Sequence, residues 1–376
     1  MSMRHATLFF LTYAGFSLFL ILSACGGQGG QILPPGLRGN FLFLTTTDFQ
    51  SGSFSVYAEE QGLMSSGYPP IHPDATAVFH SGKIFILNRF GADNIQILDP
   101  NNHFRTEKQF STNTENCPQL SNPYHLTFVS PDEAILSRYN CSSLLFLNPF
   151  TATILAEISL SPFADSDGIP EMAYGFLFGQ TYFQALQKLT NWMPINVSAL
   201  LMVNPATRSI QGEIPLQGKN PTTEWVEFLP GKFAGAVAGQ YATPDGGVEI
   251  VDAQQKRTLG IAISEEEIQG EVWGIAGKNG EIFLTVSSFG CNDFDPQTPC
   301  FSRLIVWRSG EGIQEILRTQ GVLGHIALSM NGNLLYVADR SLSGGLRIFS
   351  VSEKREMPPS PLPTGLPPFW LTPFRL

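Results

Sequence analysis

Ala199-Leu-Leu-Met-Val-Asn-Pro205 is a short apolar run closed by Asn-Pro, and the chain repeats it. Asn94-Ile-Gln-Ile-Leu-Asp-Pro100 and Ser143-Leu-Leu-Phe-Leu-Asn-Pro149 precede it, and Gly247-Val-Glu-Ile-Val-Asp-Ala253, Arg303-Leu-Ile-Val-Trp-Arg308 and Gly345-Leu-Arg-Ile-Phe-Ser350 follow. Ser53-Phe-Ser-Val-Tyr57 fills the same place near the start, which makes seven. Branched, leucine and aromatic side chains ending on a turn former read as a strand running into a tight hairpin.

A second series precedes the first. Its members open on a large or polar residue and continue into an apolar run: Asp74-Ala-Thr-Ala-Val-Phe, His125-Leu-Thr-Phe-Val, Tyr174-Gly-Phe-Leu-Phe, Trp225-Val-Glu-Phe-Leu, Trp273-Gly-Ile-Ala, His325-Ile-Ala-Leu-Ser and Trp370-Leu-Thr-Pro-Phe. Successive onsets are 51, 49, 51, 48, 52 and 45 residues apart. Between the two series lies another strand, as in Lys83 to Asn88 or Glu281 to Val286, and a fourth follows, as in Ile154 to Ile158. Four short antiparallel strands at this period specify an all-β, seven-bladed β-propeller of four-stranded blades.

The ends complete one another. Residues 40 to 66 supply strands two, three and four of a blade, whereas Pro368-Phe-Trp-Leu-Thr-Pro-Phe374 supplies a first strand with nothing after it. Pairing Phe369 to Phe374 beside Phe41 to Thr45 closes the ring, leaves no open join and favours a monomer. Composition agrees: 36 Gly and 27 Pro with only 14% charged residues suit turns and strands better than helices. The net charge of -10, with no cluster of Lys and Arg, excludes an electrostatic footprint for nucleic acid.

Residues 1–24 read as a signal peptide: a short basic start at Arg4 and His5, then an apolar stretch over Thr7 to Leu22 that is short for a spanning helix. Leu22-Ser23-Ala24-Cys25 resembles the lipobox of bacterial lipoproteins. That resemblance implies cleavage before Cys25, acylation of its thiol, palmitate included, and a membrane anchor outside the cytoplasm; Gly26 after the cysteine favours the outer membrane. Residues 25–39 are expected to be a flexible tether and 40–376 the propeller domain. Cys117, Cys141, Cys291 and Cys300 remain, and an even set in an oxidising compartment suggests two disulfides. Their places in the repeat select 117 with 141 and 291 with 300.

Leu335-Tyr-Val-Ala-Asp339 followed by Gly345 to Ser350 resembles the YVTN-type repeat and the wider lactonase-like propellers. The resemblance implies a hydrolase as the alternative to a binding or protein-interaction scaffold at the cell envelope. A hydrolase would need a metal or a general base with an electrophilic partner, and His125 and His325 with Asp74 are the candidates near the channel. The chain has no GxSxG, HExxH or P-loop pattern, no cofactor is expected, and the scaffold reading comes first.

Turns joining first to second and third to fourth strands are short and share one face. The other connections, at 111 to 123, 161 to 170, 187 to 198, 217 to 223 and 287 to 302, are long and share the opposite face, where binding residues usually sit. First strands line a propeller's channel, so Asp74, His125, Tyr174, Trp225, Trp273, His325 and Trp370 are expected to ring its mouth on the long-loop face. Aromatic rings with polar edges suit a sugar, a peptide or an aromatic group, although the same residues could wedge between blades. No metal site is expected; calcium in Cys291-Asn-Asp-Phe-Asp-Pro296 is a minor alternative, and Glu265-Glu266-Glu267 reads as a solvated turn.

Overall fold

The computed structural model describes residues 38–292 and 299–376, with Leu33 and Gly36. The signal segment, Cys25 and most of the expected tether lie outside the described residues, as do Asp293 to Pro296 of the calcium alternative. Leu33 is already part of the body: it is buried against Phe54, Tyr68 and Phe104, so the tether docks earlier than residue 40.

Seven four-stranded antiparallel sheets form the molecule. Blade 1 comprises Ala75–His80, Lys83–Asn88, Asn94–Asp99 and Arg105–Ser111; blades 2 to 6 follow in chain order, beginning at Pro123, Met172, Val226, Glu271 and Leu323. Blade 7 takes its inner strand, Pro368–Arg375, from the carboxyl terminus and its other three, Asn40–Thr47, Gly52–Ala58 and Leu63–Ser65, from the amino terminus. Phe41 pairs with Phe374, Phe43 with Thr372 and Thr45 with Trp370, as the closure argument requires. Gly39 and Leu376 extend the ladder by exchanging backbone hydrogen bonds of 3.3 and 3.1 Å.

Burial follows strand rank. Ala134–Arg138 and Glu281–Ser287, second strands, are buried along their whole length, whereas the outer strand Thr153–Ser159 is largely exposed. A strand with a neighbouring blade on each face has no polar side, which is why the second and third strands read as unbroken apolar runs. The core is therefore a set of inter-blade layers. Phe85, Leu87, Ile95 and Ile97 of blade 1 pack on Leu126, Leu136, Leu145 and Leu147 of blade 2, and Leu42, Leu44 and Leu371 of blade 7 pack on Tyr336 and Leu346 of blade 6. Each such side chain contributes about 1.5–3 kcal/mol on burial, so the ring is held by every seam rather than by a single centre.

The disulfides are Cys117–Cys141 and Cys291–Cys300, with Cα separations of 5.8 and 5.2 Å, and both staple long-loop connections. Glu265-Glu266-Glu267 departs from the expected solvated turn. It opens a one-turn helix, Glu265–Ile268, because the Ser264 side chain accepts from the Glu267 N–H, and this turns Glu265 inward to 1% exposure.

Candidate functional site

First strands run from the long-loop face inward, so their opening residues meet at the axis. Two chambers result. The outer one, about 720 Å³, opens on the long-loop face and is lined by Asp74, Tyr174, Trp273, His325 and Trp370, five of the seven expected residues. The inner one, about 470 Å³, reaches toward the short-turn face; His125 and Glu224 line it, and His325 and Trp370 border both chambers.

A closed circuit of side chains separates them. Trp370 stacks on His325 at 3.9 Å between ring centres and on Tyr174 at 5.6 Å. Tyr174 meets His125 edge-on at 5.4 Å, and Glu224 joins His125 to His325 with oxygen to Nε2 distances of 3.9 and 3.1 Å. Trp370 is fixed in this plug by donating its indole N–H to the carbonyl of Ala77 at 3.0 Å. Burial pushes the Tyr174 hydroxyl well above its usual pKa.

Backbone donors and Glu224 occupy the ring nitrogens of both histidines. The Gly175 N–H donates to His125 Nδ1 at 3.3 Å, and the Leu371 N–H donates to His325 Nδ1 at 3.2 Å. With Nδ1 of each ring accepting a backbone N–H, Nε2 is the nitrogen that bears a proton, and it faces Glu224. Burial lowers the His125 pKa against the opposing pull of Glu224. Burial also works to raise Glu224, but the His325 hydrogen bond and both imidazoles hold its carboxyl below the usual range. Asp74, the third catalytic candidate, lies instead in the outer chamber, ion-paired with Arg89. Among the described residues no group of three or more His, Cys, Asp or Glu side chains is set to hold a metal.

Two expected ring members go elsewhere. His125 faces the inner chamber. Trp225 lines neither chamber: it is 5% exposed, sits in the layer formed with Phe176 and Phe233, and occupies the space a Cβ on Gly235 would need. Successive residues on an extended chain point to opposite sides, so with Trp225 turned into the blade seam its neighbour Glu224 takes the axial position.

The outer chamber also has walls that the strand-onset pattern did not mark. Phe369 lies between two guanidinium groups, Arg89 at 5.8 Å and Arg340 at 5.6 Å. Arg340 covers Phe49 at 4.6 Å and donates to the carbonyls of Pro368 and Thr47 at 3.0 and 3.2 Å. Burial opposes the charge on Arg89, but the Asp74 carboxylate more than offsets it and raises its pKa. Phe90, 61% exposed, forms the rim. The chamber thus offers aromatic faces held rigid by cation–π and hydrogen-bonded contacts, with few groups that need to move when a ligand enters.

No family of known proteins and no curated protein matches the sequence. Solved structures match the fold. Hydrazine synthase of Kuenenia stuttgartiensis superimposes with a TM-score of 0.56 and 10% identity over 75% of this chain and 79% of that one. The dihydro-heme d1 dehydrogenase NirN in complex with DHE gives 0.54 and 12% over 90% and 77%, and apo AztD from Citrobacter koseri gives 0.54 and 9% over 90% and 99%. At such identities the likeness concerns architecture alone, and function has to be argued from the site.

Proposed function

We propose that this chain is a lipid-anchored, extracytoplasmic binding protein whose propeller takes the exposed part of a peptide or glycan ligand into the outer chamber. The observation that carries this reading is the chamber itself: about 720 Å³ at the axis, walled by Phe49, Phe90, Tyr174, Trp273, Phe369 and Trp370. Such a volume suits a few side chains or sugar rings, and aromatic walls supply contact area with little loss of side-chain freedom. A scaffold fits better than a hydrolase, because the candidate bases are bound to one another through Glu224 or to Arg89.

The anchor rests on Leu22-Ser-Ala-Cys25, and the two disulfides suit an oxidising compartment. Asn40 begins its strand on the short-turn face, and Leu33 before it is already buried in the body.

Peptide and glycan arrays test the reading. Wild-type protein should select a set of ligands, Phe49→Ala with Phe90→Ala should weaken them by at least ~10-fold, the scale of a binding hot spot, and Leu229→Ala with Met330→Ala on the short-turn face should leave them unchanged. Ligands retained by the chamber variant and lost by the short-turn variant would overturn it.

A further inference from the structure

Asp74 precedes the first strand of blade 1 and Arg89 follows the second, and the Arg89 N–H donates to the Asp74 carbonyl at 3.1 Å. The backbone thus fixes their ion pair where both residues line the outer chamber. The pairing is one-sided. Arg89 donates from both Nε and Nη2 to Asp74 Oδ1, and no described residue meets Asp74 Oδ2 or Arg89 Nη1. Neither atom is sealed from solvent, and the Asp74 side chain is 34% exposed. Each leftover atom shares its carbon with an atom of the contact, so one ion pair presents an open acceptor together with an open donor. His72 adds a second donor to the same chamber: its Nδ1 accepts from the Asp74 N–H at 3.2 Å, which leaves the proton on Nε2.

The charges of the pair cancel, which selects against an ion. An ammonium drawn to Oδ2 would meet Arg89, and a carboxylate drawn to Nη1 would meet Asp74. A neutral ligand that gives and takes hydrogen bonds at adjacent atoms suits both. A hydroxyl does either, so neighbouring hydroxyls of a sugar ring can fill the two roles at once. The N–H and C=O of a trans peptide unit point in opposite directions, so a single unit cannot.

The aromatic walls agree. Trp370 is covered by His325 and Tyr174, and Phe369 lies between two guanidinium groups. Phe90, the residue after Arg89, is instead 61% exposed at the rim and offers its ring to the C–H face of a pyranose. We infer that the ligand of the outer chamber is a neutral glycan, one sugar ring of which donates a hydroxyl to Asp74 Oδ2, accepts at a neighbouring hydroxyl from Arg89 Nη1, and stacks on Phe90. This reading rests on the function proposed above and narrows its ligand from peptide or glycan to glycan.

Calorimetric titration with the methyl pyranosides of glucose, galactose, mannose and N-acetylglucosamine samples different arrangements of neighbouring hydroxyls. Tetrahydropyran is the hydroxyl-free match, and n-butylammonium chloride and sodium butyrate are the charged probes. At least one pyranoside should bind the wild type saturably, and tetrahydropyran and both ions should not. Asp74→Asn removes the carboxylate and should weaken that pyranoside at least ~10-fold, the usual weight of a hydrogen bond to a charged group; Phe90→Ala should weaken it at least ~5-fold. Melting curves show whether each variant folds, and Phe90→Ala, exposed and outside the ion pair, keeps the test decisive if Asp74→Asn unfolds. Binding of no pyranoside, binding unchanged in either folded variant, equal binding of tetrahydropyran, or tighter binding of an ion than of every pyranoside would each overturn the inference. Pyranosides that fail while array peptides are still lost in the Phe49, Phe90 variant would remove the glycan assignment and leave the proposed function standing; array ligands that ignore that variant would sink the function itself.

Discussion

Replacing Glu265 with glutamine should make the protein more stable at alkaline pH while changing little in acid. The carboxyl is 1% exposed, and burial, helped by Glu271 and Asp245, pushes its pKa from 4.5 to about 8. A folded-state value above the unfolded one means that the native form holds the proton more tightly. Stability is then fully present below the unfolded value near 4.5, falls as pH rises through the interval, and levels off above about 8. At 1.36 kcal/mol per unit the shift sets an upper bound of roughly 4–5 kcal/mol, and relaxation of the site brings the expected loss to on the order of 2–3 kcal/mol. Glutamine stays neutral throughout and escapes this loss. Urea denaturation at fixed ionic strength, from about pH 5 to pH 9, should show curves for the two proteins that coincide in acid and separate in base, the variant being the more stable. Glu171, also buried and raised to about 7, slopes the same way and should leave some pH dependence in the variant. Parallel curves, or a variant less stable than wild type at pH 9, would refute the reasoning.

Two further outcomes follow from the fold and the anchor. Phe374 is fully buried in the closing strand, 5.2 Å from the ring of Phe41 and 5.1 Å from that of Phe79, so Phe374→Ala should cost ~3–5 kcal/mol in urea denaturation; a loss below about 1 kcal/mol would mean that the seam contributes little to closure. Metabolic labelling with palmitate in a bacterial host should mark the wild-type chain and be lost in Cys25→Ser, whereas label that persists would defeat the anchor.

Much of the architecture was legible because it repeats. A period near fifty residues, four strand types per period and a first strand displaced to the carboxyl terminus leave one way to close the ring, and the structure pairs Thr45 with Trp370 accordingly. The disulfides followed from the same positions. The site was less legible, because its composition depends on which of two adjacent residues faces the axis. Trp225 stood out by size, yet the seam between blades 3 and 4 claimed it and left Glu224 to the plug. Arg89 and Arg340 do carry a signal: each directly follows a second strand, after Asn88 in blade 1 and Asp339 in blade 6, and a comparison of strand ends as well as strand starts would have found them. Glu265 could not be told from its solvated neighbours in a run of three glutamates, since only the Ser264 cap and the loop around Gly246 decide which one is buried.

Hydroxyl-radical footprinting of the protein bound to its tightest array ligand asks directly whether recognition belongs to the long-loop end of the ring. Tyr241, Phe90, Met330 and Met357, all at least 38% exposed, report on the two faces. Protection should fall on Phe90, Tyr241 and Trp273 and spare Met330 and Met357. Protection confined to Met330 and Met357 would place recognition on the opposite face and contradict the role assigned to the chamber.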